Sequence, residues 1–597
     1  MCGIFSTISL DTNVKNLVVE GLKKLEYRGY DSFGISLIQN NKIKNFKSTG
    51  EIPSDPSKIE FEASGSIAIG HTRWATHGGV NTANAHPHLS QNQQYAIVHN
   101  GIIENYTKLK QELIQEHNYQ FHSETDTEVI VAYFQILKEN LATKQALQTL
   151  CKKLQGRYSF IILDNNTQEL ILARQGSPLI IGVPKDETSI FIASDVPAFV
   201  KYTQNVIYLD DNQGAILKLA DQKIQSHYFD LDTLTEIQKR IIKVEINPEE
   251  TELGEHPHFM IKEIWEQKDS IRKALEQDLS TLKQFVEKFN EAEKIIFIGC
   301  GTAHKVAICT QYLFAKLTKK ITLHEISSEL KHQKNILDSK TIVVAISQSG
   351  ETAETLEAIE LAKKHGCFTT CITNVRESSL DRNCDLSLFI KAGTEKAVAS
   401  TKATTGQMAI GSLLAFACAD RLNEGKFLLS NTGALINDML NPRYEDKISQ
   451  LAKELRYAQN MYIIGKGANY PIALESAIKL QEVTYIHAEG FAGGELKHGP
   501  LALITKQTPV LVIASNDDCF QEIISNAIEI KSRGGYIIGI SPVNNEAFDY
   551  WLKVPEAGLD SPIINLIPIQ ILAYHISVLK DNNPDKPRNL AKSVTVK

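Results

Sequence analysis

The feature that most constrains this chain is a repeat in its second half. KIIFIGCGTAHKVA, starting at Lys294, aligns with NMYIIGKGANYPIA, starting at Asn460. Each reads as an apolar strand, a glycine turn and the start of a helix. About 46 to 48 residues further on, KTIVVAIS and TPVLVIAS align as the next strand. Strand, turn and helix in succession make a doubly wound parallel sheet, because parallel neighbours need a crossover long enough to hold a helix. A chain that carries this unit twice must build it twice. The copies are expected over 290–430 and 455–590, within domains spanning 263–435 and 436–597. They diverge after the second strand, where the first copy continues SQSGET and the second NDDCFQ.

The first 235 residues read differently. Short strand-like runs (CGIFSTISL, GSIAIGHTRWA, YAIVHNG, RYSFIILD, LIIGV, SIFIASD) outnumber two helical stretches, at 14–26 and roughly 125–153, predicting an α+β layered domain. Between the halves, 236–262 is charged and proline-containing, with INPEETELGEHPH at its centre, and reads as a linker. A total of 597 residues is too many for one core. The 63 basic and 70 acidic residues balance, which argues against a nucleic-acid or membrane-surface partner. Nine cysteines without paired spacing make no disulfide framework and no zinc site, so no metal or cofactor is expected. Cys367 and Cys371 lie in an apolar run and read as core. No signal peptide or 18-residue apolar segment is read, since IINLIPIQILAY is interrupted by Asn565, Pro568 and Gln570. A cytoplasmic enzyme is expected.

The loop 347–352 follows the strand TIVVAI and opens the helix AETLEAIELAKKHG. Free N–H groups and the positive dipole end of a helix suit a phosphate there, and Gly350 lets the backbone approach. Ser347, Ser349 and Thr352 add hydroxyls beside Gln348; one would suffice for a helix cap. GCGTA (Gly299–Ala303) fails the G-x-G-x-x-G spacing, which excludes a nicotinamide cofactor. In the second copy, Lys479 and Glu482 share a helix face. GGELKHGP adds Glu495, Lys497 and His498. A carboxylate, a histidine and lysines near a sugar phosphate supply acid and base for moving protons on an open-chain sugar. The tail KPRNLAKSVTVK mixes Leu590, Ala591, Val594 and Val596 with charges, as a docked tail would.

At the amino terminus, Cys2 becomes a thiol carrying its own α-amine if Met1 is trimmed. That amine has a pKa near 7.7–8.0, suited to a general base. Position alone fits equally a residue that merely opens a strand. Arg73 can hold a carboxylate by a two-pronged fork. Asn100 and the Gly101 N–H can form an oxyanion hole, and Asp126 can hold an ammonium. Trp74 as core, His77 as a bonded strand residue and Asp126 as a helix cap are the purely structural alternatives. Together with Cys2, these groups fit a substrate with an amide, a carboxylate and an amine: glutamine.

MCGI, LEYRGYDS, HTRWATHG, NAHPH, HNGIIEN and SETDTE resemble the glutaminase domain of class II, N-terminal-nucleophile amidotransferases. SQSGET, AGTEKAVASTK, ELKHGPLALI and PRNLAKSVTV resemble the tandem sugar-isomerase (SIS) domains of the glutamine–fructose-6-phosphate aminotransferase family, and the match spans nearly the whole chain. The resemblance implies that Cys2 attacks the glutamine amide to give a thioester. It implies that Arg73, Trp74, Thr76, His77 and Asp126 bind glutamine and that Asn100 and Gly101 stabilise the oxyanion. Ammonia then passes internally to fructose 6-phosphate. Thr302, Ser347, Gln348, Ser349, Thr352, Val398, Ser400 and Ala591 would bind the sugar phosphate. Lys592 would form a Schiff base, His498 assist ring opening, and Glu482, helped by Lys479, move a proton between the first two carbons. It further implies a homodimer, the first step of amino-sugar biosynthesis and, lacking the insert of longer eukaryotic members, a bacterial source. One departure is Ala303, where the family often has serine. The paired aspartates of phosphoribosyl amidotransferases and the SGG-type loop of asparagine synthetases are not found, and a non-catalytic sugar-phosphate sensor would have no use for Cys2 or Lys592.

Overall fold

The computed structural model describes residues 2–595 except 54, 56–57, 60, 62–63 and 245–251. The first six residues of INPEETELGEHPH, and Val596 of the tail, therefore lie outside the described residues. The chain divides into two compact units. The first is Met1–Glu252 with Ala591–Lys597, and the second is Leu253–Leu590.

The first unit stacks two antiparallel sheets. One has eight strands, in the order Ile242–Lys243, Asn205–Tyr208, Ile180–Gly182, Ser189–Ala193, Gly3–Ser9, Ile67–Arg73, Ser32–Gln39 and Lys42–Thr49. The other has six, from Lys223–Asp230 to the short edge His88–Leu89. Alternation along Gly3–Ser9 shows why the sheets stack. Ile4 and Ile8 join the core between the sheets, against Ile69, Val98 and Ile161. Phe5 points the other way, under Val18 and Leu22 of the helix Val14–Lys24. Helices cover the six-stranded sheet with Val129, Ile130, Phe134 and Leu147.

The helix expected over 125–153 is two, Glu128–Lys138 and Thr143–Lys153, parted where Ala142 turns extended (φ −64, ψ 155). The break folds the two helices against one another over a single sheet. A third, Tyr106–His117, was not predicted, although Leu109 and Leu113 bury its inner face at helical spacing. The expected linker 236–262 is structured at both ends. Ile242–Lys243 pairs with Asn205 and Val206, and Phe259–Trp265 is a helix whose first amides bind the Asp585 carboxylate at 2.7–2.8 Å.

The second unit holds two parallel five-stranded sheets with the same strand permutation. The first runs Ile321–Ile326, Lys294–Gly299, Thr341–Ser347, Phe368–Thr373, Leu386–Phe389. The second runs His487–Ala492, Asn460–Gly465, Pro509–Ile513, Tyr536–Ser541, Tyr550–Lys553. One continuous core joins them, including Val306, Phe314, Leu413, Ile472, Leu480 and Ile567. Cys367 and Cys371 are buried free thiols, as expected.

IINLIPIQILAY is not interrupted. It belongs to one helix, Ser561–Leu579, that runs through Pro568. Gly558–Leu579 is long and apolar enough, with mean hydropathy 1.6, to cross a membrane by composition, yet 83% of that window is buried inside the unit. Its polar residues are answered from afar. Asn565 donates to Asn469 Oδ1 and Ser515 Oγ, both at 2.9 Å, and Gln570 Oε1 accepts from Gln267 Nε2 at 2.8 Å.

Candidate active sites

In the first unit, strand register builds the site. Gly3 lies opposite Thr72, which sets Cys2 beside the end of Ile67–Arg73. The Trp74 N–H donates to Cys2 Sγ at 3.3 Å, and Sγ donates to the Trp74 carbonyl at 3.5 Å. Burial pushes the Cys2 thiol above its ordinary value; the Trp74 amide and Arg73 pull it back, while Asp126 adds to the rise. Such a thiol needs a base to become a nucleophile.

The Arg73 guanidinium is buried and donates to the carbonyls of His77 (2.5 Å), Gly78 (3.1 Å) and Gly79 (3.1 Å). The fork expected for a carboxylate thus organises the 77–79 loop, and a substrate carboxylate would compete with those carbonyls. Thr76 is exposed, and its hydroxyl is 3.3 Å from His77 Nδ1. The His77 ring meets Tyr106 edge-on, and Trp74 meets Tyr30 likewise. Asn100 and Gly101 lie on the strand Tyr95–Ile103. Gly101 has φ +132, and a Cβ there would fall 2.1 Å from the Arg157 carbonyl, so only glycine fits. Asp126 is no helix cap. Its Oδ2 accepts from the Ile103 N–H at 2.8 Å, locking the segment after Asn100.

Beneath lies a cluster not anticipated from sequence: His71, His86, His88 and His99, all buried. His71 stacks on His86 at 4.1 Å, and His71 Nε2 is 2.9 Å from the His99 carbonyl. His86 Nε2 and His99 Nδ1 flank Thr127 Oγ1 at 2.9 and 2.8 Å. Burial pushes all four below the usual histidine range, His71 to about 3, so the rings are neutral. The clue in sequence was histidine recurring in HTRW, NAHPH and HNG.

In the second unit, the loop after Thr341–Ser347 is tied down by its own backbone. The Gly350 N–H donates to Ser347 Oγ at 3.0 Å, and Ser347 Oγ lies 3.4 Å from Thr352 Oγ1. The Glu351 N–H donates to Ser349 Oγ at 3.1 Å, and the Gln348 carbonyl accepts from Asn374 N at 3.2 Å. Gly350 has φ +67. The helix Ala353–Lys364 that follows has no side-chain cap from Thr352. Its first-turn amides are thus left to bind something else, an opening that suits an anion.

Thr302 starts the helix Thr302–Leu317, but its hydroxyl donates to Glu475 Oε1 at 3.0 Å. Val398 N donates to the Asp585 carbonyl at 3.0 Å, and Ser400 Oγ to Glu395 Oε2 at 3.1 Å. Lys479 is wholly buried, 2.5 Å from Glu482 Oε2 and 3.5 Å from Glu475 Oε1. Burial alone would depress this lysine; Glu482 and Glu475 hold it above its ordinary value. Burial pushes Glu475 up to about 7. Sequence reading passed over Glu475, although it stands four residues before Lys479 on the same face. His498 is exposed on the turn Gly493–His498, with no hydrogen bond to Glu482 or Lys479 among the described residues. Neighbouring Lys497 pairs with Glu529 at 2.7 Å. Ala591 and Lys592 are half-buried and belong to the first unit. No group of three or more potential metal ligands occurs among the described residues.

Comparison with known proteins places the two units in known domain families. The family model described as a glutamine amidotransferase domain matches residues 54–238, and the SIS domain model matches twice, over 288–417 and 454–580. Glutamine–fructose-6-phosphate aminotransferase (isomerizing) of Thermococcus kodakarensis is 40% identical over 611 residues, covering 100% of both chains. The proteins of that name from Bacteroides thetaiotaomicron and Buchnera aphidicola are 39% and 41% identical, again covering 100% of each chain. The chain belongs to this family. Among solved structures, the C-terminal domain of glucosamine-fructose-6-phosphate aminotransferase from Francisella tularensis is 33% identical, with a TM-score of 0.53, covering 56% of this chain and 99% of that one.

Proposed function

We propose that the chain converts L-glutamine and D-fructose 6-phosphate into L-glutamate and D-glucosamine 6-phosphate. In the first unit, removal of Met1 frees the Cys2 amine to take the thiol proton, and the thiolate attacks the glutamine amide. Asn100 and Gly101 receive the oxyanion, and Arg73 and Asp126 orient the substrate's carboxylate and ammonium. Ammonia passes to the ketose, whose phosphate sits on the 347–352 loop. Lys592 condenses with the carbonyl, and Glu482, beside Lys479, carries a proton from the first carbon to the second. His498 serves ring opening.

The observation that carries this reading is the uncapped helix behind Ser347–Thr352, in the same unit as a buried Lys479 paired with Glu482 and in the same chain as Cys2. The reading includes a cytoplasmic homodimer. Ile321 and Leu323, 64% and 38% exposed on an edge strand, are apolar surface that a second copy would cover. Incubation with both substrates tests the reaction. Glucosamine 6-phosphate should form in step with glutamate; glutamate alone, or neither product, would overturn the proposal.

A further inference from the structure

Of the nine cysteines, the reaction as read above employs Cys2. Two of the others stand together beside the phosphate loop. Cys371 lies within the strand Phe368–Thr373, opposite Ala345 on one side and Ser387 on the other. It is wholly buried, and its thiol donates to Ser387 Oγ at 3.2 Å. Cys384 closes the short helix Ser379–Asn383, its N–H donating to the Leu380 carbonyl at 3.0 Å. The half-buried Cys384 side chain packs against the core that holds Cys371, Leu356 and Leu380. The two thiols are hydrogen-bonded. That bond and burial hold the Cys384 thiol well above its ordinary value, while Lys363 pulls it back and Asp385 adds to the rise.

We propose that Cys371 and Cys384 form a reversible disulfide that deforms the phosphate loop. The oxidant is a peroxide. The Cys384 thiolate attacks one peroxide oxygen, the O–O bond breaks, and the departing hydroxide takes up the proton that the thiol released. The Cys371 sulfur then attacks the resulting sulfenic acid, the S–O bond breaks, and water leaves with the Cys371 proton. Two thiols and one peroxide thus give one disulfide and two waters, with two electrons passing from sulfur to oxygen. With the Cys384 thiol held high its thiolate is scarce, so the pair answers sustained rather than fleeting oxidant. A small thiol reverses the bond by exchange.

A covalent S–S bond is shorter than any contact between two thiols, so one cysteine must shift. Cys371 is paired in the sheet on both sides and is held there. Cys384, at the end of a short helix, is the one that moves. That helix is bonded to the phosphate loop twice. The Leu380 N–H donates to the Gly350 carbonyl at 2.9 Å, and the Ser379 N–H to Glu351 Oε1 at 2.7 Å. Drawing Cys384 toward the strand therefore pulls on Gly350 and Glu351. The effect on sugar binding rests on the phosphate-loop reading above; the disulfide and the loop movement do not.

The test is the full chain treated with hydrogen peroxide and digested without reductant. The expected product joins tryptic peptides 365–376 and 383–391 with the loss of two hydrogens. The first peptide carries both Cys367 and Cys371, so fragmentation decides which sulfur is bonded. Hydrogen exchange over 347–352 should quicken. KM for isomerisation of fructose 6-phosphate should rise roughly 2- to 12-fold, the size of one lost hydrogen bond. Dithiothreitol should reverse all three changes, and Cys384→Ser should show none of them. The peptide map needs no variant, so it stands if the serine protein does not fold. A linkage to Cys367, no linkage, a linkage with unchanged exchange over 347–352, or an equal KM rise in Cys384→Ser would overturn the proposal. The last is what oxidation of Cys300, in the GCGTA turn, would give. If the untreated chain does not isomerise fructose 6-phosphate, the reading of the reaction has failed, and the map and the exchange still decide this one.

Discussion

Replacing Gly350 with alanine isolates the phosphate loop from the rest of the chemistry. At φ +67 the residue lies in the left-handed region, where an L side chain costs roughly 1–2 kcal/mol. The new Cβ would also stand 2.1 Å from Ser378 Oγ, 2.6 Å from Ser378 Cβ and 3.1 Å from Thr373 Oγ1. Ser378 cannot step aside freely. It caps the helix Ser379–Asn383, and the Leu380 N–H donates to the Gly350 carbonyl at 2.9 Å. Overpacking of this kind costs roughly 1–3 kcal/mol, so the substitution strains the loop by about 2–5 kcal/mol in all. The loop can relieve this only by moving, which takes Ser347 and Thr352 out of register with the uncapped amides. KM for fructose 6-phosphate, followed as glucose 6-phosphate formation, should rise about tenfold or more. Glutamine hydrolysis should not change. The double variant Gly350→Ala/Ser378→Gly removes both nearest atoms, and glycine in place of a serine cap costs only a few tenths of a kcal/mol. It should recover most of the affinity, leaving the left-handed strain. A single variant with the parent KM, or a double variant no better than the single, would refute this account of the loop.

Cys2→Ala should abolish glutamine hydrolysis and leave isomerisation of fructose 6-phosphate intact, checked by separate glutamate and glucose 6-phosphate assays. Borohydride added with fructose 6-phosphate should trap one adduct, mapped by peptide mass to Lys592, and Lys592→Ala should lose both trapping and synthesis; an adduct at Lys479 or Lys497 would contradict the assignment. The buried histidines make the first unit acid-labile. With folded values below 6.5, they bind protons in the unfolded chain first, so stability present above pH 6.5 drains away as pH falls toward about 3, where folded His71 protonates. The denaturation midpoint of the first unit should drop steadily from pH 6.5 to 4, and a flat profile would mean the four rings are not held neutral.

The sequence by itself determined the elements whose cause is local. Strand, glycine turn and helix recur at Lys294 and Asn460 because a parallel strand with two buried faces must be apolar throughout, and both copies indeed form the same permuted sheet. The divergence of SQSGET from NDDCFQ was equally legible, and Cys2 does meet the residue that follows the strand Ile67–Arg73. Tertiary structure decided whatever depends on a partner far along the chain. IINLIPIQILAY looked broken because Asn565 and Gln570 have no local answer; Asn469, Ser515 and Gln267, up to 303 residues away, supply it. The stretch 125–153 shows one helical period, and only the sheet beneath it fixed where the chain turns back. Thr302 read as a phosphate ligand, yet its hydroxyl goes to Glu475, 173 residues on. Periodicity records which face of an element is buried; it does not record against what, and the charge state of a buried acid depends on its burial and on those neighbours together.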